Sequence, residues 1–396
     1  MLNVFFIGLV SFFTDVSTEM IYPVIPLYLT SVFGASPALI GIIEGIAESL
    51  ASLLRVFSGY ITDKFKKKKA LAFSGYSTGI FYKIILIFAS SWTGVLLGRI
   101  VDRLGKGIRT SPRDVLVSES ADKKEMGRAF GMHKALDMAG VALGVAFTYY
   151  LLKNAGGGEF NYRRLFLVSI IPGLFGLGMF LFIKENKPTT PLKKDKKAQK
   201  DEPLWHSIKK IDGRLKLYLL VVFLFTLGNS SNAFLLLKAK DVGFDDVSVI
   251  LLYFIYSITA SIFSMPMGRL SDKIGRKSLL VAGHFVFVAV YLGFALAFSK
   301  TFIYGLFMLY GVYTAMITGV ERAFVAEISP REIKGTMLGL HSTLSGIALL
   351  PASIIAGFLW NAFGSAMPFI FGAIMSFVAA VLLLAFMRGY NVEKET

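Results

Sequence analysis

The sequence contains no cysteine, which excludes disulfide frameworks and thiolate metal sites. Histidine is scarce, with four in 396 residues, and no His-Glu-x-x-His pair occurs. A zinc hydrolase of that type is therefore excluded. No G-x-x-x-x-G-K-[ST] loop is present, so there is no phosphate cradle for ATP-driven work. Acids are outnumbered, 26 against 42 Lys plus Arg, for a formal net charge of +16. That excess can mark nucleic-acid binding. Here the basic residues sit in loops between apolar runs, which is a topology signal instead. No enzyme activity, cofactor, resident metal or nucleic-acid partner is expected.

Apolar residues, by contrast, are abundant: 55% of the chain, including 36 Phe, with a mean hydropathy of +0.63. A soluble domain cannot hide so much apolar surface. About a dozen runs reach the roughly 20 residues that a helix needs to cross a bilayer. The short alternating segments of a membrane barrel are missing. The expected spans are 3–31, 38–60, 69–90, 93–116, 125–152, 163–183, 216–238, 246–268, 277–299, 301–326, 333–360 and 364–387. The fold class is thus an all-α membrane protein with twelve transmembrane helices. The first run carries Asp15 and Glu19 and is too long for a cleaved signal peptide, so it reads as the first span.

One long polar, lysine-rich stretch, 184–215, separates an N-terminal six-helix bundle, 1–183, from a C-terminal one, 216–396. With twelve spans, the basic segments at 63–69, 123–128, 184–215, 272–277 and 331–334 all fall on one side. The loops at 32–37, 91–92 and 361–364 carry no basic residue. The positive-inside rule then places both termini and the linker in the cytoplasm of a multi-pass cell-membrane protein.

The two bundles repeat. A charged tag, Gly59-Tyr60-Ile61-Thr62-Asp63-Lys64-Phe65-Lys66-Lys67-Lys68, returns as Gly268-Arg269-Leu270-Ser271-Asp272-Lys273-Ile274-Gly275-Arg276-Lys277. Further along, Glu119, Gly127, Gly131 and His133 match Glu327, Gly335, Gly339 and His341 at a constant offset of 208. Arg113-Asp114 matches Glu321-Arg322 at the same offset.

The tags are similar to the cytoplasmic loop motif of the major facilitator superfamily, G-x-x-x-D-[RK]-x-G-[RK]-[RK]. The second copy matches throughout, and the first has Lys66 in place of the second glycine. Twelve spans, a six-plus-six repeat and a central linker extend the resemblance over the whole chain. The resemblance implies the major facilitator fold, two pseudo-symmetric six-helix bundles, and a cytoplasmic gate. It assigns gating roles to Gly59, Asp63, Lys64, Glu119 and Arg128 in the first half. Gly268, Asp272, Lys273, Arg276, Glu327 and Lys334 hold the corresponding places in the second. The run from Asp102 to Asp114, D-R-L-G-K-G-I-R-T-S-P-R-D, resembles one bacterial and archaeal branch with some members linked to export. Gly140-x-x-x-Gly144 resembles part of an antiporter motif, with Val145 where that motif has proline. These glycines read equally as close helix packing.

Candidate functional residues follow from charge at membrane depth, where each isolated charge costs roughly 2.5–3.5 kcal/mol. Asp15 and Glu19, four apart, share a face of the first span with Thr18 and Tyr22, and Pro23 and Pro26 should kink it. Glu44, Glu48 and Arg55 fall within a narrow arc of the second. In the fourth, Arg99, Asp102, Arg103, Lys106, Arg109 and Arg113 form a stripe that cannot face lipid. It must line a cavity or pair with the acids. Arg99 also stands where drug exporters of the superfamily place an arginine that holds substrate or tunes a carboxylate. In the fifth, His133, Lys134 and Asp137 lie on adjacent turns, suited to a proton relay, metal binding or a polar helix contact. The second half offers mostly hydrogen-bonding groups: Asn229, Asn232, Tyr253, Tyr256, Glu321, Arg322 and His341.

The sequence thus predicts a proton-linked secondary transporter working by alternating access as a monomer. Its proton carriers are sought among Asp15, Glu19, Glu44, Glu48, Asp102 and Asp137. The expected cargo is a small polar or anionic molecule, such as a drug-like compound or metal chelate, and the expected direction is export. The alternatives are import of a small organic solute, divalent-metal transport, and a non-transporting sensor or scaffold.

Overall fold

The computed structural model describes residues 2–65, 68–120, 126–154, 161–184, 213–297, 299–329 and 334–386. The first half holds α1 (Leu2–Glu19), α2 (Ile25–Phe33), α3 (Pro37–Phe65), α4 (Lys68–Phe88), α5 (Trp92–Glu119), α6 (Met126–Lys153) and α7 (Tyr162–Met179). The second holds α8 (Gly213–Gly228), α9 (Ala233–Asp241), α10 (Asp246–Ile274), α11 (Arg276–Ala295), α12 (Lys300–Ile328), α13 (Lys334–Phe363) and α14 (Met367–Phe386). Ten spans are long and apolar enough to cross a bilayer, counting α1 with α2 and α8 with α9 as one each. The other two are α3 and α5, helices of 29 and 28 residues, of which α5 carries six charged residues between Arg99 and Arg113. Together they make the twelve expected spans. Large apolar side chains such as Phe88, Leu181 and Phe363 stand exposed on the outside, as a surface facing acyl chains requires.

Two spans are broken. The first is interrupted by a turn of 3-10 helix at Tyr22–Val24, where Pro23 removes a backbone donor. The freed Met20 carbonyl accepts from Thr148 Oγ1 at 2.7 Å. The sequence led to a continuous seventh span, 216–238, and here the structure corrects it. That span stops at Gly228 and resumes at Ala233. No proline breaks it. Instead, Asn229 bonds Tyr313 and Tyr291 at 3.3 and 3.4 Å, and Tyr310 donates to Asn232 at 2.9 Å. Side chains from neighbouring helices thus stabilise the interruption. The two breaks lie at equivalent positions of the 208-residue repeat.

The halves meet where α3 runs along α13 and α6 along α10. The α3–α13 seam is tightly packed at the end remote from the tags. A Cβ on Gly41 would strike the Ser353 carbonyl, one on Gly357 would lie 2.6 Å from Ala38 Cα, and one on Gly45 would lie 3.0 Å from the Leu350 carbonyl. Ser49 donates to the Gly346 carbonyl at 2.6 Å, and Tyr162 donates to Asp246 at 3.1 Å. Gly140 and Gly144 seat α6 against the Phe12 and Val16 carbonyls of α1, so in this structure they serve packing within the first half.

Candidate functional site

On the tag side of the seam lies a cavity of about 220 Å³. Asp15, Thr18, Glu19 and Tyr22 line it from α1 and its break, and Glu48 from α3. Asp102, Arg103, Lys106 and Arg109 enter from α5, Asn232 from the second break, and Tyr253 from α10. Helical spacing on α5 explains why four charged residues of one helix face a single space. Both broken spans open onto it, the placement expected of a transporter binding site.

Buried pairs support this lining from behind. Arg99 and Glu44 lie 2.6 Å apart, at 1% and 3% side-chain exposure. Arg103 meets Glu48 at 2.7 Å and approaches Asp102 at 3.8 Å. Arg99 and Arg103 both lie over the Tyr22 ring, 5.2 and 5.6 Å from its centre, in cation–π range. The sequence placed Asp15 and Glu19 as the counterparts of the α5 stripe. The structure gives Arg99 and Arg103 to Glu44 and Glu48 instead, because α3 packs directly on α5. Arg99, expected to hold substrate, does not line the cavity.

Asp15 faces α6, where its carboxyl group lies beside that of Asp137. Asp137 also accepts from Lys134 at 2.8 Å. His133 Nε2 meets Ser11 Oγ at 2.9 Å, and Ser11 in turn meets the Tyr76 hydroxyl. The relay or metal site expected of His133 with Asp137 is therefore not assembled. The two side chains bond different partners, and no three metal-ligating side chains converge among the described residues. Arg113 pairs with its neighbour Asp114 at 2.8 Å.

In the second half, Tyr256 packs between Tyr253 and Tyr310, with ring centres 5.5 and 5.1 Å away. His341 Nε2 lies 3.4 Å from Glu321 and stacks on Tyr218. Neither Glu321 nor His341 reaches the cavity, and Asn229 is held in the tyrosine network. The side chains of Arg55, Asp63, Lys64, Arg128, Arg322 and Lys334, and the surroundings of Gly59, lie outside the described residues.

One residue gained significance only from the structure. Lys83 of α4 is 1% exposed, and its ammonium donates to the Gly79 carbonyl at 2.9 Å. A lysine inside an apolar run was the available signal. Asp102 is equally buried, and neither of its carboxylate oxygens accepts a hydrogen bond.

At the tag end, Arg276 joins Glu327 and also meets Asp272 at 3.4 Å. Lys68 holds Glu119 in the first half, while Lys273 is exposed. Among the described residues these ion pairs lie within each half. A Cβ at Gly268 would find nothing within 4 Å among the described residues.

Comparison with known proteins agrees with this architecture. The family profile described as Major Facilitator Superfamily matches residues 7–236 and 217–396. An uncharacterized MFS-type transporter of Methanocaldococcus jannaschii is 37% identical over 392 residues, covering 96% of this chain and 94% of its own. The multi-drug resistance efflux pump PmrA of Streptococcus pneumoniae is 29% identical over 132 residues, 33% of each chain. A crystal structure of a variant of the nucleoside transporter NupG superposes with a TM-score of 0.81 at 13% identity, covering 97% of this chain and 100% of that one. With its twelve spans, paired halves and matching profile, the chain belongs to the major facilitator superfamily of membrane transporters, and it is not an enzyme.

Proposed function

We propose that this transporter is proton-coupled and exports a small polar molecule by alternating access, with the tag end and both termini in the cytoplasm. The charged cavity between the halves, sealed at one end, supports alternating access. The observation that carries proton coupling is the juxtaposition of the Asp15 and Asp137 carboxyl groups across α1 and α6. Two carboxylates brought together in a buried site repel, and a proton held by one of them removes that repulsion. Arg109 and Glu19 act on Asp15 from the cavity side, and Lys134 and Arg113 act on Asp137. Rocking that separates α1 from α6 would change what holds this proton and so link it to the conformational equilibrium. Partial similarity to a protein named as an efflux pump supports export.

Proteoliposomes with an imposed pH gradient and an internal pH-sensitive dye test the coupling. Substrate added to wild-type protein should trigger proton flux. Asp15→Asn and Asp137→Asn should each abolish that flux while retaining substrate exchange. Unchanged proton movement in both variants would refute the assignment.

The tag end supplies a second prediction. Gly268→Leu should fold normally, because its side chain enters open space in this state. It should impair uphill transport severely by blocking closure at the tag end. A wild-type melting temperature combined with lost transport is the expected result. Full activity would show that no helix approaches Gly268 during the cycle.

A further inference from the structure

Cavity charge and size narrow the cargo. Four carboxylates and three cations line the space. Arg103 is occupied by Glu48 at 2.7 Å, and Asp15 by Asp137. Glu19 has no cation in ion-pair contact among the described residues, and its hydrogen bond from Tyr253 is 3.5 Å long. Lys106 has no ion-pair partner among the described residues; Glu48 and Asp102 are the leading acids acting on it, and it is the leading positive charge acting on Glu19. Arg109 stacks on Tyr76 at 4.6 Å and has one buried nitrogen, Nη1, without a hydrogen bond. The cavity therefore presents open charge of both signs: the Glu19 carboxylate and the Asp102 oxygens, which accept no hydrogen bond, against the Lys106 ammonium and one Arg109 nitrogen.

A monoanion would satisfy Lys106 and leave Glu19 unpaired. A monocation would do the reverse. An unpaired charge in a confined, low-dielectric space is costly. A molecule bearing both charges satisfies both groups and leaves the near balance of the lining unchanged. The Tyr22 and Tyr253 rings, 6.0 Å apart, and the Asn232 amide complete the walls with groups suited to a polar skeleton. About 220 Å³ also falls below the roughly 300–1,000 Å³ of pockets that take drug-sized ligands.

We infer that the cavity binds a small zwitterion, with its ammonium on Glu19 and its carboxylate on Lys106. The inference rests on the cavity being the transport site and deepens that reading by naming the substrate class.

Purified wild-type protein would be titrated calorimetrically with alanine, β-alanine, γ-aminobutyrate and glycine betaine, alongside propionate, propylamine and glycerol. At least one zwitterion should bind, and the single-charge and neutral compounds should not. Glu19→Gln and Lys106→Gln should each weaken that binding roughly tenfold or more. Both side chains are only partly buried, and matching melting temperatures would confirm folding. Glu19→Asp retracts the carboxylate by one methylene and should shift preference toward a longer skeleton, an effect that general destabilisation would not produce. Binding of propionate or propylamine in preference to every zwitterion overturns the inference, as does binding of none of the four. Zwitterion binding unchanged by both Gln variants overturns it too. Vesicle assays separate the two readings. Zwitterion binding without any flux refutes transport and spares the binding class, whereas proton flux driven by propionate alone does the reverse.

Discussion

Glu44→Leu is expected to destabilise the protein by roughly 3–5 kcal/mol, the usual cost of leaving one member of a buried ion pair without its partner. The stranded group is the Arg99 guanidinium, 1% exposed and over the Tyr22 ring. Its Nε already lacks a hydrogen bond, so its attachment to Glu44 through Nη2 is the main polar contact it would lose. The double variant Glu44→Leu/Arg99→Leu should recover most of the loss, since an apolar pair of similar volume often replaces a buried ion pair at little cost. Thermal unfolding in detergent, followed by circular dichroism, provides the comparison. A double variant as unstable as the single one would show that the pair contributes through shape rather than charge. Neither group lines the cavity, so the double variant should also keep its affinity for substrate.

A second large effect is expected at the seam. Gly41→Val would drive its side chain into the Ser353 carbonyl and against the Phe234 ring. Overpacking of this kind costs typically about 1–3 kcal/mol. It is incurred only while the seam is closed, so the balance between states should move roughly 5–150-fold toward opening at the end remote from the tags. The chain has no native cysteine, and spin labels at Ser36Cys and Asn361Cys would report the distance across the seam directly. The distribution should lengthen in Gly41→Val and stay as in wild type in Gly213→Val, where a Cβ meets nothing within 4 Å. An unaltered distribution at Gly41 would mean that the seam yields locally without moving the halves.

The number of spans, their repeat and the kink at Pro23 were legible because each depends on local pattern: run length, spacing, or a missing backbone donor. The inward face of Asp102, Arg103, Lys106 and Arg109 was legible for the same reason. Helical period places residues on a face and does not say which helix packs against it. Asp15 reads as a counterpart of the stripe and has Arg109 of that stripe near it, but its nearest acid, Asp137 of α6, was not legible; Arg99 appeared to be a substrate ligand when Glu44 occupies it. The break at Asn229–Asn232 was hidden because its stabilising hydroxyls, Tyr291, Tyr310 and Tyr313, come from α11 and α12, far along the chain. Lys83 gained its significance only from its burial. The open pairing of Glu19 and Lys106 was beyond the reach of sequence, because it depends on the halves meeting at one end.

The charges on α3 and α5 also bear on how the protein is made. Six charged residues of α5, Arg99 through Arg113, would each cost about 2.5–3.5 kcal/mol if that helix entered the bilayer alone. Even with generous snorkelling near its ends, this helix cannot partition by its own hydropathy. α3, made earlier on the ribosome, brings Glu44 and Glu48, the acids that meet Arg99 and Arg103. Lys83 of α4 reaches its burial only once α5 covers it. Insertion of α5 is therefore expected to depend on α3 being present to supply Glu44 and Glu48 as partners for Arg99 and Arg103.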